Sequence, residues 1–401
     1  MYKDILENAK KLQSELVGCR RFLHEHAEVG FELENTTAFV GSRLEEMGYK
    51  PQPCGRSGLV ATVGKAGKRK AFLLRADMDG LPIPERSGEP FACKNGNMHA
   101  CGHDMHTAML LGAAKLLKTY ETELNGVVKL LFQPAEEILQ GAQDTIAAGV
   151  LQNPEVGAAM ALHVMTDVPF PVGTAVVPPS GVGAPAADYF KIEVTGKGCH
   201  GSTPQNGVDA ISVAAHILLA LQEIPAREIS VNAPAVLTVG KLQGGTAGNV
   251  IADTAVLEGT LRAFDEQTRE EVKARLKTLS AGIAKAYRAK AKVLFEGGCP
   301  TLLNDENVSA FVERNARELL GGGNVLTASE LGGATNRNGG SEDFAYISRE
   351  TPSVMLALAA GNSGEGYGYP LHHPKVRFDE RALCIGAALL AYNALRWFDG
   401  E

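Results

Sequence analysis

Short apolar runs alternate with helical stretches in two separated parts of this chain, and a block with a different order lies between them. The runs Gly58 to Val63, Ala71 to Ala76 and Gly126 to Phe132 read as strands, with a helix from His106 to Tyr120 between the last two. Alternation of this kind builds an α/β domain around a largely parallel sheet. Ahead of it, Leu12, Leu16, Cys19 and Leu23 recur at helical steps, and the stretch from Thr36 to Met47 repeats the pattern.

The break comes at Pro178-Pro179-Ser180-Gly181-Val182-Gly183, a composition suited to a crossing between domains. The next block reads as a strand from Asp188 to Gly196, a helix from Val208 to Leu221, and strands from Val236 to Leu242 and Val250 to Phe264. A charged helix from Glu266 to Arg288 and a strand from Lys292 to Glu296 complete it. This βαββαβ order is that of a ferredoxin-like sandwich. After about Gly297 the α/β character returns, with a helix near Asn307 to Leu320, a strand at Val354 to Leu358 and a closing helix from Glu380 to Trp397. The expected layout is one α/β domain, residues 1–182 and 297–401, interrupted by an insertion at 183–296. Insertion costs little where the inserted ends lie close together. Two or three domains are also what a length of 401 allows. No internal repeat is visible, and the one biased run is the Gly-rich stretch Gly332 to Gly340.

Composition narrows the function class. With 39 Lys+Arg against 46 Asp+Glu the net charge is −7, which does not supply a dedicated surface for nucleic acid or anionic membrane. The charged, helix-patterned start and the absence of a long apolar stretch point to a cytoplasmic protein without a membrane span. Seven scattered cysteines fit free thiols in a reducing compartment.

Candidate chemistry sits where apolar runs end. In Met98-His99-Ala100-Cys101-Gly102-His103-Asp104 a glycine separates a thiol from an imidazole, so a tight turn can aim both at one zinc-like ion; a helix cap at Asp104 is the plainer reading. Glu136 and Glu137 follow the run ending at Phe132, where open α/β sheets hold ligands, and adjacent carboxylates can divide into metal ligand and general base. A solvated pair at a helix start is the alternative. His163 follows another apolar run, and His372-His373 lies near the far end; each alone reads as well as a core or loop residue. Together Cys101, His103, Glu137, His163 and one of His372 or His373 offer more donors than one zinc needs, which points to two metals. Asp79 is placed to orient a ligand by hydrogen bond, or to form a turn before Gly80. In the inserted block, His200, Asn249 and Arg262 could stabilise an oxyanion and grip a carboxylate, although Arg262 also reads as a surface charge.

The ordered strings RADMDGLP, MHACGHDMHTAMLLGAA, FQPAEE, ALHV, GKGCHGSTPQNGVDAI, GNVI, GTLR, GGSEDF and LHHP resemble the M20 metallopeptidases, in particular their amidohydrolase branch: hippurate hydrolases, N-acyl-amino-acid amidohydrolases and indole-acetyl-amino-acid hydrolases. The resemblance covers nearly the whole chain. It implies a zinc-peptidase-like domain, a mixed sheet with helices on both faces, carrying an inserted ferredoxin-like lid that serves dimerisation. It also implies two divalent ions (Zn, Mn, Co or Ni) on Cys101, His103, Glu137, His163 and His372, with Glu136 as general base. His200 would polarise the scissile carbonyl, with Asn249 and Arg262 near substrate. Ala252 stands where the family pattern has Pro, and His373 where Asn, Ser or Thr is common.

The activity implied is hydrolysis of the amide of N-acyl-L-amino acids, hippurate-like or N-acetylated, by a metal-activated water. A small-molecule substrate, a homodimer or larger homo-oligomer through the lid, and no nucleic-acid or membrane partner complete the expectation. The rivals are a dipeptidase or carboxypeptidase with the same centre, and a non-catalytic ligand-binding relative. A nucleophilic Cys101 paired with His103 would leave Glu136-Glu137 without a role.

Overall fold

A computed structural model of the chain describes residues 2, 4–67, 69–327, 330 and 340–399. Most of the Gly-rich stretch Gly332 to Gly340 lies outside the described residues. Two compact units emerge: one runs to Gly183 and resumes at Leu303, and the other spans Ala184–Leu302.

The larger unit is built on a mixed sheet. Val127–Gln133, Ala71–Asp77, Val156–Met165 and Ser353–Ala359 lie side by side and parallel at its centre. Gly58–Gly64 joins antiparallel to Val127–Gln133. Every residue of Ala71–Asp77 is buried, as in a strand covered on both faces, and its charged members Arg75 and Asp77 pair with each other. Parallel pairing brings the C-terminal ends of these strands to one edge. His163 sits beside Ala357, and Asp77 beside Gln133.

The helix expected from His106 begins at His103 and runs to Thr119, buried along most of its length. It packs against Ala382–Trp397. Glycine makes that approach close: a Cβ at Gly386 would lie 2.2 Å from the Met109 sulfur.

In the smaller unit four antiparallel strands run in the order Ala235–Gly244, Thr254–Ala263, Ala186–Thr195, Lys290–Cys299. Their helices, Ala210–Leu221 and Glu266–Ala286, are each capped by an aspartate: Asp209 accepts the Ile211 and Ser212 N–H groups, and Asp265 that of Thr268. Two expected boundaries change. The stretch read as one strand from Val250 to Phe264 breaks at Ala252-Asp253; Val250–Ile251 leaves the sheet to pair with Cys199–His200. The strand expected to end at Glu296 passes a bulge after Phe295 and continues to Cys299, so this unit closes at Leu302 rather than 296. Among the described residues no helix is long and apolar enough to cross a membrane.

Candidate metal centre

The donors gather at the C-terminal edge of the parallel strands: His163 near the end of Val156–Met165, His103 at the start of His103–Thr119, and Cys101, Glu137 and His372 on the connecting segments. Cys101, His103 and His163 form one group whose ligand atoms all lie within 4.8 Å of one another, and Cys101, Glu137 and His372 form another. Cys101 belongs to both. Its sulfur is 3.4 Å from His163 Nε2. The turn that aims Cys101 and His103 inward depends on Gly102, which has φ +89; a Cβ there would lie 2.5 Å from Val164.

Backbone carbonyls set the tautomers. His103 Nδ1 lies 2.8 Å from the Asp79 carbonyl oxygen and His163 Nδ1 2.7 Å from that of Val164, so each Nδ1 donates and each Nε2 turns to the centre. His106 is spent: Nδ1 donates to Asp77 at 2.6 Å and Nε2 accepts the Val164 N–H at 2.9 Å. Burial lowers its pKa to about 4, which keeps it neutral. His372 Nε2 reaches 3.5 Å from Glu137 Oε1, whereas His373 stacks on Tyr369 and accepts the Lys375 N–H through Nδ1. Of the two, His372 is the one at the centre.

Two buried atoms test whether metal fits. His103 Nε2 and Glu137 Oε1, 3.8 Å apart, make no hydrogen bond. Glu136 Oε2 lies 3.9 Å from the same His103 nitrogen. Burial, reinforced by Asp79 and Asp77, pushes Glu137 up to about 7 despite His103. Burial opposes charge on His103 too, but Asp77 and the Asp79 hydrogen bond hold its pKa well above the usual imidazole value. Negative charge that favours a proton on Nε2 equally favours a divalent cation there. Thiolate, imidazole and carboxylate together suit Zn and its borderline neighbours.

The carboxylate loop is held from beneath. Asp79 accepts the Glu136 N–H at 3.0 Å and the Glu137 N–H at 3.2 Å. Ala135 and Leu139, flanking the segment, both have φ +56, and His372 has φ +65. Non-glycine residues in this region are strained, and such strain gathers at functional sites.

The family model for Peptidase family M20/M25/M40 matches residues 73–396. The chain belongs to this family. N-acetyl-L-cysteine deacetylase of Bacillus subtilis is 39% identical over 98% of this chain and 91% of that one. IAA-amino acid hydrolase ILR1-like 4 of Arabidopsis thaliana is 36% identical over 95% of this chain and 85% of that one. A solved Bacillus subtilis structure described as a dinuclear metal binding peptidase superposes with a TM-score of 0.78, at 32% identity over 97% of this chain and 99% of that one. These relatives place the M20 chain in the amidohydrolase branch, as a metal-dependent amide hydrolase.

The remaining candidates lie in the smaller unit of this M20 chain. His200 pairs with Val250, next to Asn249, whose carbonyl accepts the Gly201 N–H at 2.8 Å. His200 Nδ1 accepts the Ser202 N–H, which leaves Nε2–H as a donor. Arg262, 5.8 Å from the Tyr189 ring, is not brought to them. At about 3.3 Å per residue the extended strand from Thr254 to Arg262 spans roughly 26 Å, and Thr254 shares a cavity with His200.

Asp343 is a residue that sequence reasoning missed. It stood inside the GGSEDF string without a role, and its partners lie some two hundred positions away.

Proposed function

We propose that the protein hydrolyses the amide bond of N-acyl-L-amino acids to a carboxylate and a free amino acid, with Glu136 as the general base. The observation that carries this reading is the placement of Glu136: a buried carboxylate beside a set of metal donors, with one oxygen 3.9 Å from His103 Nε2, where Glu137 also reaches, and the other facing the Asp343 N–H rather than His372. Cys101, His103, Glu137, His163 and His372 would hold the metal. When bound, two divalent ions (Zn, Mn, Co or Ni) acidify a water and polarise the acyl carbonyl.

The protein's own groups do the rest. Glu136 accepts the proton of the attacking water on a carboxylate oxygen and delivers it to the departing amine nitrogen. His200, with its proton on Nε2, donates to the carbonyl oxygen as negative charge develops there. Arg262 grips the free carboxylate through its fork. Because one copy of the small unit keeps His200 and Arg262 far apart, the reading includes a homodimer through that unit, in a cytoplasmic enzyme.

A panel of hippurate, N-acetyl amino acids and unblocked dipeptides tests the substrate class; hydrolysis of free dipeptides alone would transfer the assignment to a dipeptidase. Glu136→Gln tests the base. It should lower kcat by roughly 10²- to 10⁴-fold while metal stays bound, and undiminished kcat would remove Glu136 from the role.

A further inference from the structure

Resting on the assignment of Glu136 as base, we infer that Asp343 is a positioning residue that locks the loop carrying Glu136 and Glu137, with Arg75 as its counter-charge. Asp343 is completely buried. Its carboxylate takes a hydrogen bond from each end of that loop: Gln133 Nε2 at 2.8 and 3.0 Å, and the Ala142 N–H at 2.8 Å. Its own backbone N–H faces Glu136 Oε1 at 3.4 Å. One residue therefore ties both ends of the loop and touches the base.

Arg75, also buried, completes the arrangement. It donates to Asp343 at 2.9 Å, to Gln133 Oε1 at 3.0 Å and to Asp77, the carboxylate that holds His106. Arg75 thus connects the strand on the histidine side of the centre with the loop on the glutamate side. The loop needs such anchoring because Ala135 and Leu139 hold left-handed conformations that the chain does not adopt freely. Hydrogen bonds to Gln133 and Ala142 would satisfy any buried ion pair; the contact with Glu136 is what ties this one to the base.

The test uses the full-length, metal-loaded enzyme. Asp343→Asn keeps the volume and loses the charge. We expect kcat to fall ten- to a hundredfold, in the range seen when groups that orient a metal site are removed. KM should stay within about twofold, and metal content and chelator-competition affinity should be retained. In a Glu136→Gln background the same substitution should change the residual rate by less than twofold, because the group it positions is already lost. Asp188→Asn, which breaks the buried Arg269 pair of the smaller unit, serves as a control that should lose stability but not kcat. Should Asp343→Asn fail to fold, Gln133→Met takes its place and should lower kcat at constant KM. Full kcat per metal-loaded chain in the folded variant, or an undiminished effect of Asp343→Asn without Glu136, overturns the inference. An active Glu136→Gln enzyme instead overturns the base assignment, so the two failures are distinct.

Discussion

His103 and Asp104 are neighbours at the start of one helix, yet their side chains enter two buried polar clusters of opposite character. Around Asp104 charge is balanced. Arg20 Nε and His24 Nδ1 meet one Asp104 oxygen at 2.7 and 2.9 Å, His24 Nε2 meets Glu85 at 3.0 Å, and Arg20 and Arg21 both reach Glu380. Burial opposes a proton on His24, but Asp104 and Glu85 overcome it and raise its pKa. Around His103 the balance fails: Asp77, Asp79, Glu136 and Glu137 gather with Arg75 and a neutral His106. His103 Nε2 and Glu137 Oε1 make no hydrogen bond, but neither does Asp104 Oδ1, so the excess of carboxylates is what separates the two clusters. A buried cluster whose charges balance is scaffold; one left with surplus negative charge suits a cation.

Metal removal probes the contrast most strongly. Dialysis against a strong chelator should abolish activity and lower the thermal midpoint, by about 4 kcal/mol of stability where the ion had been present at a thousand times its Kd. Re-addition of metal should restore both. An enzyme that keeps its rate after verified metal loss would break the comparison at its root.

Arg20→Met attacks the balanced cluster. Leaving Asp104 and Glu380 without that cation should cost about 3–5 kcal/mol in denaturant unfolding, while the folded protein keeps its metal stoichiometry. Loss of metal from folded Arg20→Met would show that the two clusters are not separate.

His24 sharpens the point through pH. Its folded-state pKa is raised above the usual 6.5, so its stabilisation is complete below 6.5 and fades as pH rises through the folded value. The stability gap between the parent and His24→Gln should therefore be widest below pH 6.5, about 1.5–3 kcal/mol, and shrink as pH rises through the folded-state value. A gap that does not change with pH would show that folding does not raise the His24 pKa.

The smallest effect separates adjacent histidines. His373→Ala should leave metal content unchanged and alter stability by no more than about 0.5 kcal/mol, whereas His372→Ala should release metal. Equal metal loss in the two variants would reopen the choice of ligand.

Much of this was legible in the chain, for local reasons. Cys101-Gly102-His103 encodes its own turn, and Glu136-Glu137 follows an apolar strand whose parallel pairing fixes the edge it reaches. The smaller unit's order of elements could be read because helical periodicity and apolar strand runs are short-range signals. What escaped reading depends on distant pairs. Nothing near Asp343 announces that it closes a loop at Gln133 and Ala142, and nothing near His106 reveals that Asp77 and Val164 use up both its nitrogens. The choice between His372 and His373 likewise awaited Tyr369 and Lys375 on one side and Glu137 on the other.

Cys101 belongs to both groups of possible metal donors. Burial, with Glu137 close by, drives the Cys101 thiol far above the ordinary cysteine pKa when it stands alone. Oxidants and alkylating agents attack the ionised sulfur, not its protonated form. The buried Cys101 thiol is therefore a poor target for such reagents.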